Sequence, residues 1–467
     1  TANITANTQV KLHITKQGLT TTSNVITVSE DPNWTTTSGT FATIDDDLGA
    51  SQTVGTLSAS AGTGGGTIVY ASDDSSLNTT YFSLNTSSGV ITTTSTALTG
   101  LTGSGNYTEA FNANAKIQGS ESTKNTLLSG INIIINKLPV GGDTITEIDV
   151  GGTTYRVHQF TTTGNSSFIT YYELTGVEFL MIAGGGEGGA YVAGAQYYRG
   201  ANGGDTIFKL NGASSNLVHC IGGGGGGTHS STEVAQDGGS GGGGGALTTT
   251  RAGGDGTANQ GFDGGDARNI NGPYCGGGGG GSGSCGQEGY STQGGHGGIG
   301  LASSITGTSV ERAGGGGAGS WSNHSVVWGK GGHWSGNGGT SHTSGSESGG
   351  TSTMGGSNQK FGAGNGGINQ AGGAGGANTG AGGGGGDTSQ GAGHGGGGAG
   401  GYICTVAGET SGGGQSANDA RSAHFSTLGA SGQTTTYDTT VGAGGTTSGN
   451  THGGDGGSGV IIIRYPK

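Results

Sequence analysis

The chain has 467 residues, of which 118 are glycine and only 4 proline, with 29% hydrophobic and 10% charged side chains. An ordinary soluble domain carries about 45–50% apolar residues with glycine counted in, and about 25% charged ones, so a conventional side-chain core cannot run the length of this protein. A formal net charge of −13 argues against the basic stripe of a nucleic-acid binder and against docking on an anionic membrane surface, and no apolar run approaches the ~20 residues of a membrane span.

Residues 1–31 hold two strand candidates, 10–15 and 24–29, and read as an arm or as the end of a preceding module. From 32 to 139, short runs rich in Val, Ile, Thr and Tyr alternate with Ser, Asn, Asp and Gly. That punctuation predicts strands over 41–44, 53–57, 68–72, 82–84, 89–93, 109–116 and 130–137, in a sandwich with one face of each sheet solvated. Residues 140–152 read as a linker. Further strands are expected at 155–160, 168–172 and 177–182. Composition then changes sharply: only 20 of the 118 glycines precede Ala183. A last apolar strand begins at Val460, so two apolar strands bracket the glycine tract, and we expect them in one sheet.

The stretches DPNW (31–34), FSLNTSSGVIT (82–92), NYTEAFNANA (106–115) and INIIINK (131–137) resemble the cadherin-like and bacterial Ig-like modules of surface and phage proteins. The resemblance implies a β-sandwich over 32–139. Cadherins hold calcium with interdomain acidic motifs. Here the strand expected to end in an acidic T-D reads AFNANAKIQ, so Asp45, Asp46, Asp47, Asp73 and Asp74 are taken as solvated loop charge; calcium needs six to eight converging oxygens.

A tract so rich in glycine reads first as flexible linker. Against that stand Tyr274, Tyr290, Trp321, Trp328, Trp334, Phe361, Tyr402 and Ile403, spaced through it, and the bracketing strands that require its ends to meet. Collagen is excluded by the absence of a Gly-X-Y period and the scarcity of proline. Pure runs such as 222–227, 241–245, 276–281 and 382–386 suit polyglycine-II strands, which rise about 3.1 Å per residue with three residues per turn and make no internal hydrogen bonds. Such strands pack side by side and satisfy their backbone groups between runs. VEFLMIAGGGEGGA (177–190), NGGDTIFKL (202–210), HCIGGGGGG (219–227) and GGSGVIIIRY (456–465) resemble the glycine-rich fibre and adhesin proteins of marine tailed phages. That resemblance covers about 153–467 and implies an all-β fold: an Ig-like or cadherin-like β-sandwich, followed by a glycine-rich domain of packed polyglycine-II strands closed by β-strands.

Catalytic motifs arise here from composition alone. Gly238-Gly-Ser240-Gly-Gly matches G-x-S-x-G without its strand-turn-helix setting, and G-x-G-x-x-G recurs without a βαβ unit. His324, His333 and His342, nine apart, read as polar loop residues. We expect no catalytic residue, no metal site and no cofactor. Cys275 and Cys285 bracket a short Gly-Ser loop and are candidates for a disulfide, four free thiols being the other reading. Trp321, Trp328 and Trp334 lie close together in sequence and are the candidate receptor surface, with packing on the outer face of the glycine domain as the alternative. The expected function is a non-catalytic extracellular fibre or adhesin, on a virion surface or a cell-surface appendage. Its expected partners are itself and a cell-surface receptor or glycan, with no nucleic acid and no membrane insertion. The other expectation is a filament subunit polymerised through the N-terminal β arm.

Overall fold

The computed structural model describes residues 31–467 apart from 63–64, 74–75, 104, 120–124, 193–195, 247–250, 269–273, 291–292, 321–328, 333–362, 367–370, 387–392, 448 and 450–451; of 1–30 it describes only four short strands. The chain divides into two compact units, Thr1–Pro139 and Val140–Lys467.

In the first unit, Gly39–Asp45 (β1), Thr53–Thr56 (β2), Ile68–Ser72 (β3), Phe82–Leu84 (β4), Val90–Thr93 (β5), Tyr107–Ile117 (β6) and Asn125–Asn136 (β7) form two sheets. One runs β1-β7-β6-β3, with β1 and β7 parallel; the other runs β4-β5-β2. The cause is strict alternation. Phe111, Ala113, Ala115 and Ile117 point inward, as do Ile131, Ile133 and Ile135, while Asn112, Asn114 and Asn132 face outward. Each fully buried Ile or Phe contributes about 1.5–3 kcal/mol. The hairpin β4–β5 turns on Asn85, whose Oδ1 accepts from the amides of Ser87 and Ser88. Gly89 then takes φ +73°, where a Cβ would strike the Leu57 carbonyl, so glycine is required there.

The arm's strands pair with one another. Gln9–Val10 pairs with Ile26–Thr27, and His13–Lys16 pairs with Leu19–Thr22, in the nested registers of one antiparallel hairpin.

In the second unit, Thr144–Val150 (β8), Thr153–Phe160 (β9), Gly164–Thr170 (β10), Glu178–Ile182 (β11), Thr206–Leu210 (β12), Val218–Cys220 (β13), Tyr402–Cys404 (β14), Thr435–Val441 (β15) and Val460–Pro466 (β16) form two more sheets, of order β8-β9-β16-β11-β14 and β10-β15-β12-β13. The linker expected at 140–152 is in fact largely β8, paired along its length with β9. Its sequence, TITEIDV, is mostly solvated because it is an edge strand, and so lacked the apolar signal. β11 and β16 are neighbours, Glu178 opposite Arg464 and Ile182 opposite Val460, as the bracketing runs lead one to expect. Both are apolar at nearly every position because both faces are covered. Phe179, Met181, Ile461 and Ile463 pack with Phe168, Phe208 and Tyr437 of the second sheet; Leu180, Ile182, Val460 and Ile462 meet Ile305, Ala313 and Tyr402 on the other side.

Glycine runs continue directly from these strand ends, and their interior is backbone. The amides of Ala183, Gly186 and Gly189 donate to the carbonyls of Gly401, Gly398 and Gly395. Those of Gly184 and Glu187 go to Gly204 and Ala201, and those of Gly185 and Gly188 to Gly457 and Gly454. Donors to any one neighbour therefore recur every third residue. Run 222–227 behaves alike: Gly223 and Gly226 donate to Gly184 and Glu187, Gly224 and Gly227 to Ser240 and Gly243. Its carbonyls accept from 200 and 203, from 236 and 239, and from 395 and 398. Cβ atoms have no place inside. One added at Gly225 would overlap the Gly200 carbonyl, and one at Gly279 the Gly397 carbonyl. The core that side-chain composition denies to this half of the chain is supplied by interrun amide hydrogen bonds.

Candidate functional site

At the edge of a glycine bundle, some amides face no further run and need another acceptor. Side chains supply it with the same period of three. Asn202 and Asp205 flank Gly203-Gly204; their Oδ1 atoms accept from Gly225 and Gly222 at 2.8 Å each. Asp263 and Asp266 flank Gly264-Gly265 and accept from Gly256 at 2.7 Å and Gly253 at 3.0 Å. The spacing of the carboxyl or amide groups matches the spacing of the donors, because hydrogen bonds to any one neighbour recur every third residue. This recurrent N/D-G-G-D signal was available in the sequence, and composition-based reading passed over it.

One carboxylate is taken fully inside. Glu187, within run 183–189, is wholly buried. Its Oε2 accepts from the Ala201 amide at 2.9 Å and the Thr447 hydroxyl at 2.6 Å. Burial raises its pKa, opposed by those hydrogen bonds, and nearby Asp455 adds to the rise.

A second buried charge group closes the unit. Glu178 on β11 receives Arg464 Nε of β16 at 2.8 Å and Nη2 at 2.6 Å. Its other oxygen receives Arg421 Nη2 and the Ala407 amide. Arg421 comes from a helix, Ala417–Ala423 (α1), that begins where Ser416 Oγ accepts the Asp419 amide at 3.1 Å. Arg464 also reaches the Ser304 and Ile305 carbonyls at 3.2 Å and lies over the Tyr155 ring at 4.9 Å. One carboxylate thus ties the last strand, a helix and the 301–312 hairpin together. Removing one member of a buried pair leaves an uncompensated charge, at about 3–5 kcal/mol. Glu178→Gln should therefore lower the stability of the 140–467 unit by that order in urea unfolding of the full chain. A Glu178→Gln protein with an unaltered midpoint would show the network to be dispensable.

Two buried histidines are held neutral. His158 Nδ1–H donates to the Gly141 carbonyl at 2.7 Å, which leaves Nε2 to accept from Tyr465 Oη at 3.1 Å. Burial lowers its pKa to about 4, against the hydrogen bond to Gly141, and the Arg156 charge lowers it further. His394, wholly buried, is lowered to about 3 by burial and then by His229. A histidine whose folded pKa lies below its unfolded value contributes fully above about pH 6.5. That contribution falls as pH drops toward the folded value, by about 3 kcal/mol for a shift of this size. Glu187 and Asp455, both raised mainly by burial, act in the opposite sense, favouring the folded state at lower pH. The two histidines therefore pull the melting temperature down between pH 6.5 and 4, against the carboxyls. His158→Phe should flatten that slope, and an unchanged slope in this variant would contradict the assignment.

Cys275 and Cys285, the candidate pair, are not bonded in the structure. All four are free thiols; Cys275 is buried at the start of run 276–281 and Cys285 is exposed. Cys275 is held by backbone bridges to Arg268 and Ser320, and burial pushes its thiol up to about 12. Asp46 also departs from the reading as solvated charge. It is buried, accepting from Thr102 Oγ1 at 2.9 Å and from the Leu138 amide at 3.2 Å, and fastens the end of the sandwich. Trp321, Trp328 and Trp334 lie outside the described residues, as do His324, His333 and His342. Ser240 of the G-x-S-x-G match sits within a glycine run, its amide donating to Ala399.

No protein-family model and no curated relative matches the chain. Among solved structures, part of the chain is similar to mouse cadherin-23 EC22–24, with 20% identity over 24% of this chain and 35% of that one, TM-score 0.20. It is similar also to mouse clustered PcdhgC3 EC1–3, with 13% identity over 24% and 35%, TM-score 0.19. Extracellular cadherin domains 1–4 of protocadherin gamma B7 give 14% identity over 32% and 48%, TM-score 0.19. The matched segment spans about a third to a half of the length of those chains. At this identity and TM-score the likeness does not extend to binding or assembly.

Proposed function

We propose that this chain is a non-catalytic extracellular fibre or adhesin protein whose second unit is a rigid bundle of polyglycine-II strands. The observation that carries the reading is the threefold hydrogen-bond period of runs 183–189 and 222–227, with neighbours on all sides. An interior filled by carbonyl–amide contacts has no room for a substrate, so recognition belongs to the segments between runs. Tryptophan and tyrosine there combine contact area with little conformational entropy to lose. On this reading Trp321, Trp328 and Trp334 form the receptor-binding surface, toward a cell-surface receptor or glycan, and the protein sits on a virion or a cell-surface appendage.

The full chain, labelled and applied to candidate host cells and to a glycan array, tests this. Replacing all three tryptophans by alanine should abolish binding and leave the melting transition in place. Binding undiminished in that variant would remove the tryptophans from the surface, and no binding by the parent chain to any cell or glycan would refute adhesion.

A second reading rests on the N-terminal hairpin. Two strands alone are marginal in water, and their outer edges have no partner among the described residues. A neighbouring copy's sheet edge would satisfy them cooperatively, giving a filament. Electron microscopy of the parent chain and of a chain lacking residues 1–30 decides it: filaments that form without the arm rule this reading out.

A further inference from the structure

Two imidazoles stand side by side at one margin of the glycine core without the hydrogen bonds that buried imidazoles ordinarily make. His394, which leads into the run through Gly395–Gly398, is wholly buried, and neither Nδ1 nor Nε2 has a partner among the described residues. His229 follows run 222–227 and is partly buried, and its Nδ1 is buried and equally without a partner among the described residues. The ring centroids lie 6.0 Å apart, with the planes at 48°. Tyr197 closes edge-on against His229 at 3.9 Å, and Tyr191 lies 5.0 Å beyond it.

Each unmet buried donor or acceptor costs about 1–3 kcal/mol, and a phenylalanine would fill the same space without that cost. Neutral imidazole is the ligand form of histidine; burial and then the neighbouring Arg251 lower the pKa of His229, and burial lowers that of His394. The separation also fits. Two metal–nitrogen bonds of about 2.0 Å in line, plus about 1.1 Å from each nitrogen to its ring centroid, span about 6 Å. Among the described residues no three His, Cys, Asp or Glu side chains converge, so a tetrahedral zinc set is not assembled there. A soft d10 cation of single charge is satisfied by two nitrogens. Its low charge suits a site walled by tyrosine rings and glycine backbone, with a guanidinium nearby. We propose that His229 and His394 form a two-coordinate site for a soft monovalent cation, copper(I) in chemical class, entered from solvent past His229.

Silver(I), which binds as copper(I) does without redox chemistry, is the probe. The exposed thiol of Cys285 would compete, so the full chain carries Cys285→Ser throughout. Titration calorimetry should give one tight equivalent, with a rise in melting temperature. His229→Gln should leave the metal-free protein folded, with a cooperative melting transition, while weakening silver binding about a hundredfold or more, since one of two ligands is lost. His394→Leu should likewise bind no silver at this site. Failure of the Cys285→Ser protein to bind a stoichiometric equivalent would overturn the proposal. So would binding retained in His229→Gln, which would place the ion on other side chains.

Discussion

Alanine at Gly225 or Gly279 should cost the 140–467 unit more than about 3 kcal/mol, a large share of the 5–15 kcal/mol of an ordinary domain. Overpacking by one methyl in a side-chain core costs about 1–3 kcal/mol, because neighbouring side chains can change rotamer. In the glycine core the obstruction is a carbonyl, Gly200 O in one case and Gly397 O in the other. That carbonyl can move only with its whole run. Moving run 200–204 breaks its bonds to 222–227 and to 184–187 together, since Gly200 and Gly203 donate to the one while Ala201 and Gly204 accept from the other. Each broken interior bond adds about 1 kcal/mol. Gly212, with φ +74° and nothing near its Cβ position, supplies the control: Gly212→Asn, which tolerates the left-handed region, should stay within about 1 kcal/mol. Calorimetry of the full chain measures the difference. Alanine tolerated at both Gly225 and Gly279 would mean that the runs are not packed as described.

Removing residues 459–467 should leave the second unit unable to fold. The segment contains β16, the middle strand of the five, so its loss opens an edge on β9 and another on β11. Ile461 and Ile463 leave one core, Val460 and Ile462 the other. Four fully buried aliphatic side chains at about 1.5–3 kcal/mol each come to about 6–12 kcal/mol, as much as the whole stability of an ordinary domain. Arg464 goes too, leaving Glu178 with Arg421 alone of its two guanidinium partners. The exposed strands EFLMI and TTYRVHQF are then open to pairing between molecules. Sedimentation of the soluble fraction and calorimetry test this. A truncated chain that stays soluble and keeps the transition of the 140–467 unit would place the closure of the domain elsewhere.

Local residue pattern was enough to locate the strands whose two faces differ and those whose two faces are both buried. Alternation in Phe111–Ala113–Ala115 and Ile131–Ile133–Ile135 has only one reading against a solvated face, and VEFLMI and VIIIRY have no solvated face to mark. It also determined that the glycine tract needs a core other than side chains, since its aromatic interruptions and bracketing strands do not suit a linker. Tertiary structure alone decided which run lies beside which. Glycine has no side chain with which to specify a partner, so run 222–227 meets 184–187, 200–203, 236–239, 240–243 and 395–398 through the path of the folded chain, with strands fixing the ends of the runs that adjoin them. The same holds for side chains whose roles depend on a distant neighbour. Asp46 looks like loop charge until Thr102 and the Leu138 amide come to it. Glu178 sits unremarked inside an apolar run until two arginines, Arg421 and Arg464, meet across it. β8 reads as a linker because an edge strand is solvated on most sides, and only the register with β9 makes it a strand. Local pattern encodes which surface a residue prefers, but a contact between residues hundreds apart is set by the path of the folded backbone, and in this protein the backbone is itself the core.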